Sequence, residues 1–182
     1  VLRTWPMRGT MHFVPSADAR WLLDLTGVRA LAGAARRREH LGLTQAAADR
    51  AAEVLGQALA GGTRLTRSAC VQLLVDEGLH TAPPHGYHLL WYASQIGVTC
   101  IGPNQGKEQT FVLLDDWAPE QRQLDRDEAL AELALRYFRS HGPTTQKDFA
   151  GWSGLTQGDA KKGIELAGSA LATVAVNGTP VV

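Results

Sequence analysis

The amino-acid sequence predicts a mainly α protein with short β-hairpins, in which groups of helices are each closed by a two-stranded hairpin. Amphipathic spacing, cap residues and turn residues predict it. Leu130, Leu133, Ala134, Tyr137 and Phe138 recur at i, i+3, i+4, i+7 and i+8, the spacing of one buried helix face. Thr145 and Thr156 each stand three residues before an aspartate, the signature of a capped helix start. Asn177-Gly178 follows an alternating stretch, Leu171 to Val176, and marks a tight hairpin.

In chain order, Val1 to Pro15 reads as a hairpin turning at Arg8-Gly9. With a two-residue turn, Arg3, Trp5, Met7, Thr10 and His12 share one face, and Leu2, Thr4, Pro6, Met11 and Phe13 share the other. The second face is expected to pack. The first, with its cation, indole and imidazole, suits nucleic acid. Ser16 is expected to cap a helix carrying Trp21, Leu22 and Leu25 up to Gly27, with Arg36-Arg37-Arg38 lying between this helix and the next. A second helix is expected over Ala46 to Ala60, stopped by Gly61-Gly62.

From there one pattern occurs twice. Thr66 caps a helix that ends at Gly78, Pro83-Pro84 breaks the chain, and a helix over Gly86 to Ile96 leads into Val98–Ile101. A Gly-Pro-Asn-Gln-Gly turn and the strand Thr110–Leu114 complete this copy. The second copy runs from Leu130 through helices started by Thr145 and Thr156, with a tight turn at Gly154-Leu155, to the Asn177-Gly178 hairpin. Two helices joined by a glycine-containing turn, then a hairpin, make a winged helix-turn-helix, so the chain predicts tandem winged helix-turn-helix units. The expected domains are 1–15 (the wing of an earlier unit), 16–60 (helical connecting region), 61–117 (winged helix) and 118–182 (winged helix with a truncated wing). Both ends fall inside strand patterns, which predicts a fragment.

Composition narrows the function classes. No stretch reaches the roughly 18–20 apolar residues of a membrane span, and 45% hydrophobic residues is ordinary for a soluble domain. Eighteen Lys and Arg balance eighteen Asp and Glu, which argues against coating nucleic acid by bulk attraction. The charges are uneven, however: residues 1–50 hold eight Lys/Arg against four Asp/Glu, and residues 115–139 hold four against seven. Such asymmetry can steer a polyanion, although a solvated surface has the same appearance. Cys70 and Cys100 have no partner at metal-ligand spacing and read as buried thiols, with a disulfide between them left open. His80, His85 and His88 crowd together without carboxylates around a Pro-Pro break, a poor zinc site; no metal and no cofactor is expected.

Arg3-Thr4-Trp5-Pro6-Met7-Arg8-Gly9-Thr10-Met11-His12 and Asp148-Phe149-Ala150-Gly151-Trp152-Ser153-Gly154-Leu155 resemble segments of the winged-helix family of AlkZ-like DNA glycosylases, of the azinomycin-resistance and crosslink-repair type. The similarity runs along the whole chain. The resemblance implies tandem winged helices forming a DNA-binding body, and hydrolysis of the N-glycosidic bond of alkylated or crosslinked purines. It also implies a catalytic Gln-apolar-Gln pair upstream of the Arg-Gly-Thr hairpin, before Val1. Gln121-Arg122-Gln123 has a central arginine and lies in the acidic connector, so it does not fit.

On that resemblance Arg8 would enter a groove or clamp a phosphate at the hairpin tip, and His12 would line the lesion site. In the last winged helix Lys147, Gln157, Lys161 and Lys162 are candidate DNA contacts, although Glu165 shares the helix of the last three and opposes phosphate. Lys107 beside the earlier wing turn is another. His85, Tyr87, His88, Tyr92 and Gln95 serve core packing equally well. The expected partner is damaged double-stranded DNA, bound by a monomer in the bacterial cytoplasm, associated with the nucleoid when on DNA and without membrane attachment. A non-catalytic winged-helix regulator and a winged-helix protein-interaction module are the alternatives.

Overall fold

The structure, a computed structural model describing residues 1–182, is mainly α-helical with short strands, an architecture consistent with winged-helix-like proteins. It divides into two compact units, Val1–Arg122 and Gln123–Val182.

The first unit opens with β1 (Leu2–Thr4) and β2 (His12–Val14), an antiparallel pair. A 3-10 turn over Ser16–Asp18 leads into α1 (Ala19–Thr26), α2 (Val28–His40) and α3 (Gln45–Leu59). Then come β3 (Arg64–Thr66), α4 (Arg67–Asp76), α5 (His85–Gln95), β4 (Thr99–Gln105), β5 (Glu108–Leu113) and the short α6 (Leu114–Trp117). The strands form one sheet in the order β2-β1-β4-β5-β3, in which the opening hairpin joins β4 through Arg3 opposite Ile101. Thr44 and Thr66 cap α3 and α4, accepting hydrogen bonds from the amides of Ala47 and Ala69 at 3.1 and 3.2 Å. The core lies where α3, α4 and α5 meet the sheet, and includes Leu55, Leu74, Leu89 and Phe111, all essentially inaccessible. Cys70 and Cys100 are free and buried, and burial pushes both thiols up to about 12.

Several expectations about this unit are corrected. The hairpin register is Leu2 opposite Val14, Arg3 opposite Phe13 and Thr4 opposite His12, one residue away from the register a two-residue turn gives. The shift turns over the second strand only: Leu2, Thr4 and Pro6 pack as expected, whereas Met11 and Phe13, expected to pack, are 39% and 77% exposed. Trp5 and Met7, expected on the open face, are buried at 3% and 6% exposure. The cause is the loop over residues 5–11, which dives into the core instead of extending the ladder. Ser16 makes no side-chain cap; Asp18 instead is buried, accepting from Trp21 Nε1 at 2.9 Å and from Arg122 at 3.1 Å. Arg36-Arg37-Arg38 is not a linker but the last turns of α2, with Arg38 buried. Strand β4 runs through the expected Gly102–Gly106 turn as far as Gln105, with a register shift between Gly102 and Gln105.

The second unit comprises α7 (Arg126–His141), α8 (Gln146–Ser153), α9 (Gln157–Ala167), β6 (Val174–Val176) and β7 (Thr179–Val181). Asp125 and Glu128 form a capping box for α7, Thr145 and Asp148 form one for α8, and Thr156 accepts from the Asp159 amide at 3.0 Å to start α9. Phe149 is fully buried against Tyr137 and Phe138, with ring centroids 5.0 and 5.4 Å away.

Candidate nucleic-acid interface

The residues singled out in the opening hairpin part company in the structure. Arg3 commits its guanidinium to the neighbouring hairpin, donating to the Gly102 carbonyl at 2.8 Å and to Asn104 Oδ1 at 2.9 Å. Trp5 belongs to the core and presents no face to a nucleic acid. Arg8, Thr10 and His12 stay together at the loop end. Arg8 and Gly9 both adopt positive φ, 54° and 69°, which reverses the chain sharply and leaves the arginine side chain exposed. The Thr10 hydroxyl sits 3.1 Å from the Met7 carbonyl, to which it donates, and 2.9 Å from His12 Nε2. Burial, and then Arg8, hold the His12 imidazole below its ordinary proton affinity, against the pull of the Met7 carbonyl.

Behind this loop end lies a cleft of about 440 Å³ between the hairpin, α2 and α5. The hairpin contributes Arg8 and Gly9, α2 contributes Ala30, Ala34 and Arg37, and α5 contributes Tyr87, His88 and Trp91. Trp91 Nε1 donates to the Gly9 carbonyl at 3.4 Å, and a Cβ on Gly9 would meet the Trp91 ring at 3.4 Å. The glycine thus allows the hairpin end to seat directly on the indole. No carboxylate lines the cleft. His88 is 8% exposed, its Nε2 is enclosed without a hydrogen-bond partner, and its proton affinity is lowered by burial and then by Arg38, Arg37 and His85. The site combines aromatic surface, two rim arginines and a neutral imidazole, a combination suited to a flat, negatively charged ligand.

The position of α2 depends on Arg38. Its Nη2 donates to Gln45 Oε1 at 2.5 Å, and its guanidinium lies 5.1 Å from the Tyr92 ring centroid. Gln45 in turn donates to the Tyr92 hydroxyl at 2.7 Å, and that hydroxyl donates to Asp49 at 2.6 Å. This chain of contacts joins the end of α2 to α3 and α5.

The remaining candidates are spread between the units. Lys107 is exposed at the β4–β5 turn. In the second unit, Lys147 is exposed on α8, and Gln157 begins α9, where Gln146 donates to its side chain and carbonyl, both at 3.1 Å. Lys161 faces Glu165 at 3.6 Å, and Lys162 donates to Asp127 at 2.6 Å. Both ammonium groups therefore have carboxylate neighbours within their own unit. Sequence reasoning missed Trp91 and gave Arg37 no role. The available signal was the spacing of Tyr87 and Trp91, four apart and so on one helix face; the arginines of α2 reach them only through the fold.

The model of the family "DNA glycosylase AlkZ-like" matches residues 1–182. The chain belongs to the AlkZ-like family. An interstrand DNA cross-link repair glycosylase of Streptomyces sahachiroi is 27% identical over 165 residues, covering 85% of this AlkZ-like chain and 43% of that protein. The solved structure of Streptomyces sahachiroi DNA glycosylase AlkZ superposes with a TM-score of 0.80 at 26% identity, covering 99% of this chain and 51% of that one. The chain spans about half the length of these relatives. No helix is long and apolar enough to cross a membrane.

Proposed function

We propose that this chain is the DNA-binding, tandem winged-helix part of a DNA-repair glycosylase that hydrolyses the N-glycosidic bond of alkylated or crosslinked purines. Family membership along the whole chain supports the repair role, and the single structural observation that carries it is the arginine-rimmed, carboxylate-free cleft behind the Arg8-Gly9 hairpin end. The order α3-β3-α4-α5-β4-β5 supports one winged helix within residues 61–117 and its preceding helix, and α7-α8-α9-β6-β7 supports a second within 118–182. Residues 1–15 act as the wing of an earlier unit, and 16–60 as the helical connection.

The partner is double-stranded DNA. Arg8 and Thr10 meet the backbone at the hairpin end, with His12 lining the lesion site behind them. Lys107 at the wing turn and Lys147, Gln157, Lys161 and Lys162 on α8 and α9 supply further contacts. Arg3 contributes by fixing the hairpin. An N7-alkylated purine is already cationic and leaves readily, so the protein mainly holds a water at the anomeric carbon. The carbon–nitrogen bond breaks and its electron pair leaves with the now neutral base, while the water oxygen bonds to the carbon and gives up one proton to solvent. The pair that orients the water is a Gln-apolar-Gln motif upstream of the hairpin.

An excision assay on duplex DNA containing N7-methylguanine tests this. A protein that carries the upstream motif releases the base, and residues 1–182 alone do not. Excision by residues 1–182 would displace the catalytic pair from its assigned place. Tight duplex binding without excision, with the motif intact, would make the protein a non-catalytic regulator.

A further inference from the structure

We infer that α2, and not the third helix of the winged helix, is the element of the first unit that lies on duplex DNA, its outward face following the phosphates of one strand. This rests on DNA being the partner and goes further in naming the surface that meets it. In a winged helix the third helix ordinarily enters the major groove. Here that helix is α5. Eight of its eleven residues are buried, Tyr87 is its one exposed side chain, and it carries no lysine or arginine. Its outer side is taken: α2 packs there, with the Arg38 guanidinium 5.1 Å from the Tyr92 ring centroid, and the hairpin end seats Gly9 on Trp91. A helix so covered reaches no groove.

What α5 lacks, α2 presents. Ala34 and Arg38 turn inward, and the opposite side of the helix is exposed. Arg29, Gly33, Arg36 and His40 recur there at i, i+4, i+7 and i+11, a stripe about 16 Å long, with exposed Arg37 beside it. Glu39 is the one carboxylate of α2 against four arginines, so a chain that is neutral as a whole offers a polyanion a local excess of positive charge here. Arginine forks also match phosphate oxygens in geometry. Gly33 is an independent observation. It lies inside the helix and is exposed, and a Cβ added there would meet nothing within 4 Å. Glycine at such a position weakens a helix, and no packing within the chain asks for it. Together with exposed Ala32, it leaves a low surface between the arginines on which a sugar–phosphate backbone can lie close.

Binding of a fully paired duplex across a salt series tests this. Each phosphate neutralised adds about 0.9 to the slope of log K against log salt, so Arg36→Gln makes the slope shallower by about 0.9 and lowers affinity about eightfold at 0.1 M salt. Arg50→Gln is the control: it removes the same charge from α3, where Glu53 and Glu77 already pair with it, and leaves the slope unchanged. Glu39→Gln removes the one opposing charge of α2 and tightens binding. Gly33→Leu raises the melting temperature by about 2 °C, since glycine is a poor helix former, and yet weakens duplex binding. A purely structural glycine would not give that pair of opposite changes. A slope that Arg36→Gln alters no more than Arg50→Gln does, or a Gly33→Leu chain that binds as tightly as the unaltered one, would overturn the inference while leaving DNA binding intact. Failure of the unaltered chain to bind duplex would remove the DNA reading and the inference with it.

Discussion

Arg38 is 8% exposed at the end of α2, and methionine and alanine at this position test different parts of its role. Methionine keeps the unbranched stem and removes the charge. It loses the charge-assisted bond to Gln45, worth roughly 1.5–3 kcal/mol, and the contact with the Tyr92 ring, worth roughly 0.5–2 kcal/mol. It also removes the cost of a buried guanidinium whose Nη1 has no partner, an offset of roughly 1–3 kcal/mol. Gln45 and Asp49 are exposed and turn to water, so no buried partner is stranded. The net loss for Arg38→Met is therefore about 1 kcal/mol. Alanine also gives up two or more buried methylenes at about 0.8 kcal/mol each and leaves a void, bringing Arg38→Ala to about 3 kcal/mol. Urea unfolding of both variants measures the difference. Equal losses would refute the reasoning, since they would mean that the charge, and not the packed stem, holds α2 in place.

Further predictions concern other parts of the chain. Burial, Arg38, Arg37 and His85 lower the proton affinity of His88 from its ordinary 6.5, so below about pH 6.5 the unfolded chain takes up a proton that the folded chain refuses. Stability is complete above that pH and falls as pH drops through the window, with His12 adding the same sign; a His88→Gln variant has a flatter melting-temperature profile between pH 8 and 5. Gly9→Val places a β-branched side chain at φ 69° against Trp91, costing about 1–3 kcal/mol of local strain and weakening DNA binding; unchanged near-ultraviolet dichroism and affinity would contradict it. Phe149→Ala empties the aromatic cluster of the second unit at a cost of about 3–5 kcal/mol, visible in the fluorescence of Trp152, while the first unit keeps its own transition.

Local chemistry made much of this fold readable. Thr66, Thr145 and Thr156 announced their helices because a cap needs only a hydroxyl and the next turn's amides. The failures are long-range. Gly27 looked like a stop, yet it is helical at φ −72°, and the space beside it is occupied: a Cβ there would lie 2.6 Å from the Leu23 carbonyl and 2.7 Å from Gln95 Nε2. Close packing accounts for the glycine, and α2 follows almost without a break. Strand β3 is three residues long, too short to show a period, and exists because β5 is there to pair with it. The burial of the hairpin loop depended on Trp5 entering a core assembled mostly from residues 43–111, which no local pattern reveals. The cleft was half legible: Arg8 was found at its tip, whereas Arg37 and Trp91 came to it only through tertiary packing.

Duplex binding across a salt series tests the central claim most directly. If the hairpin end and the exposed lysines contact phosphates, log K falls steeply and linearly with log salt, by about 0.9 for each phosphate neutralised, and Arg8→Gln or Lys107→Gln makes the slope shallower by about that amount. A flat salt dependence, or a slope that neither variant changes, would contradict the assignment of this surface to DNA.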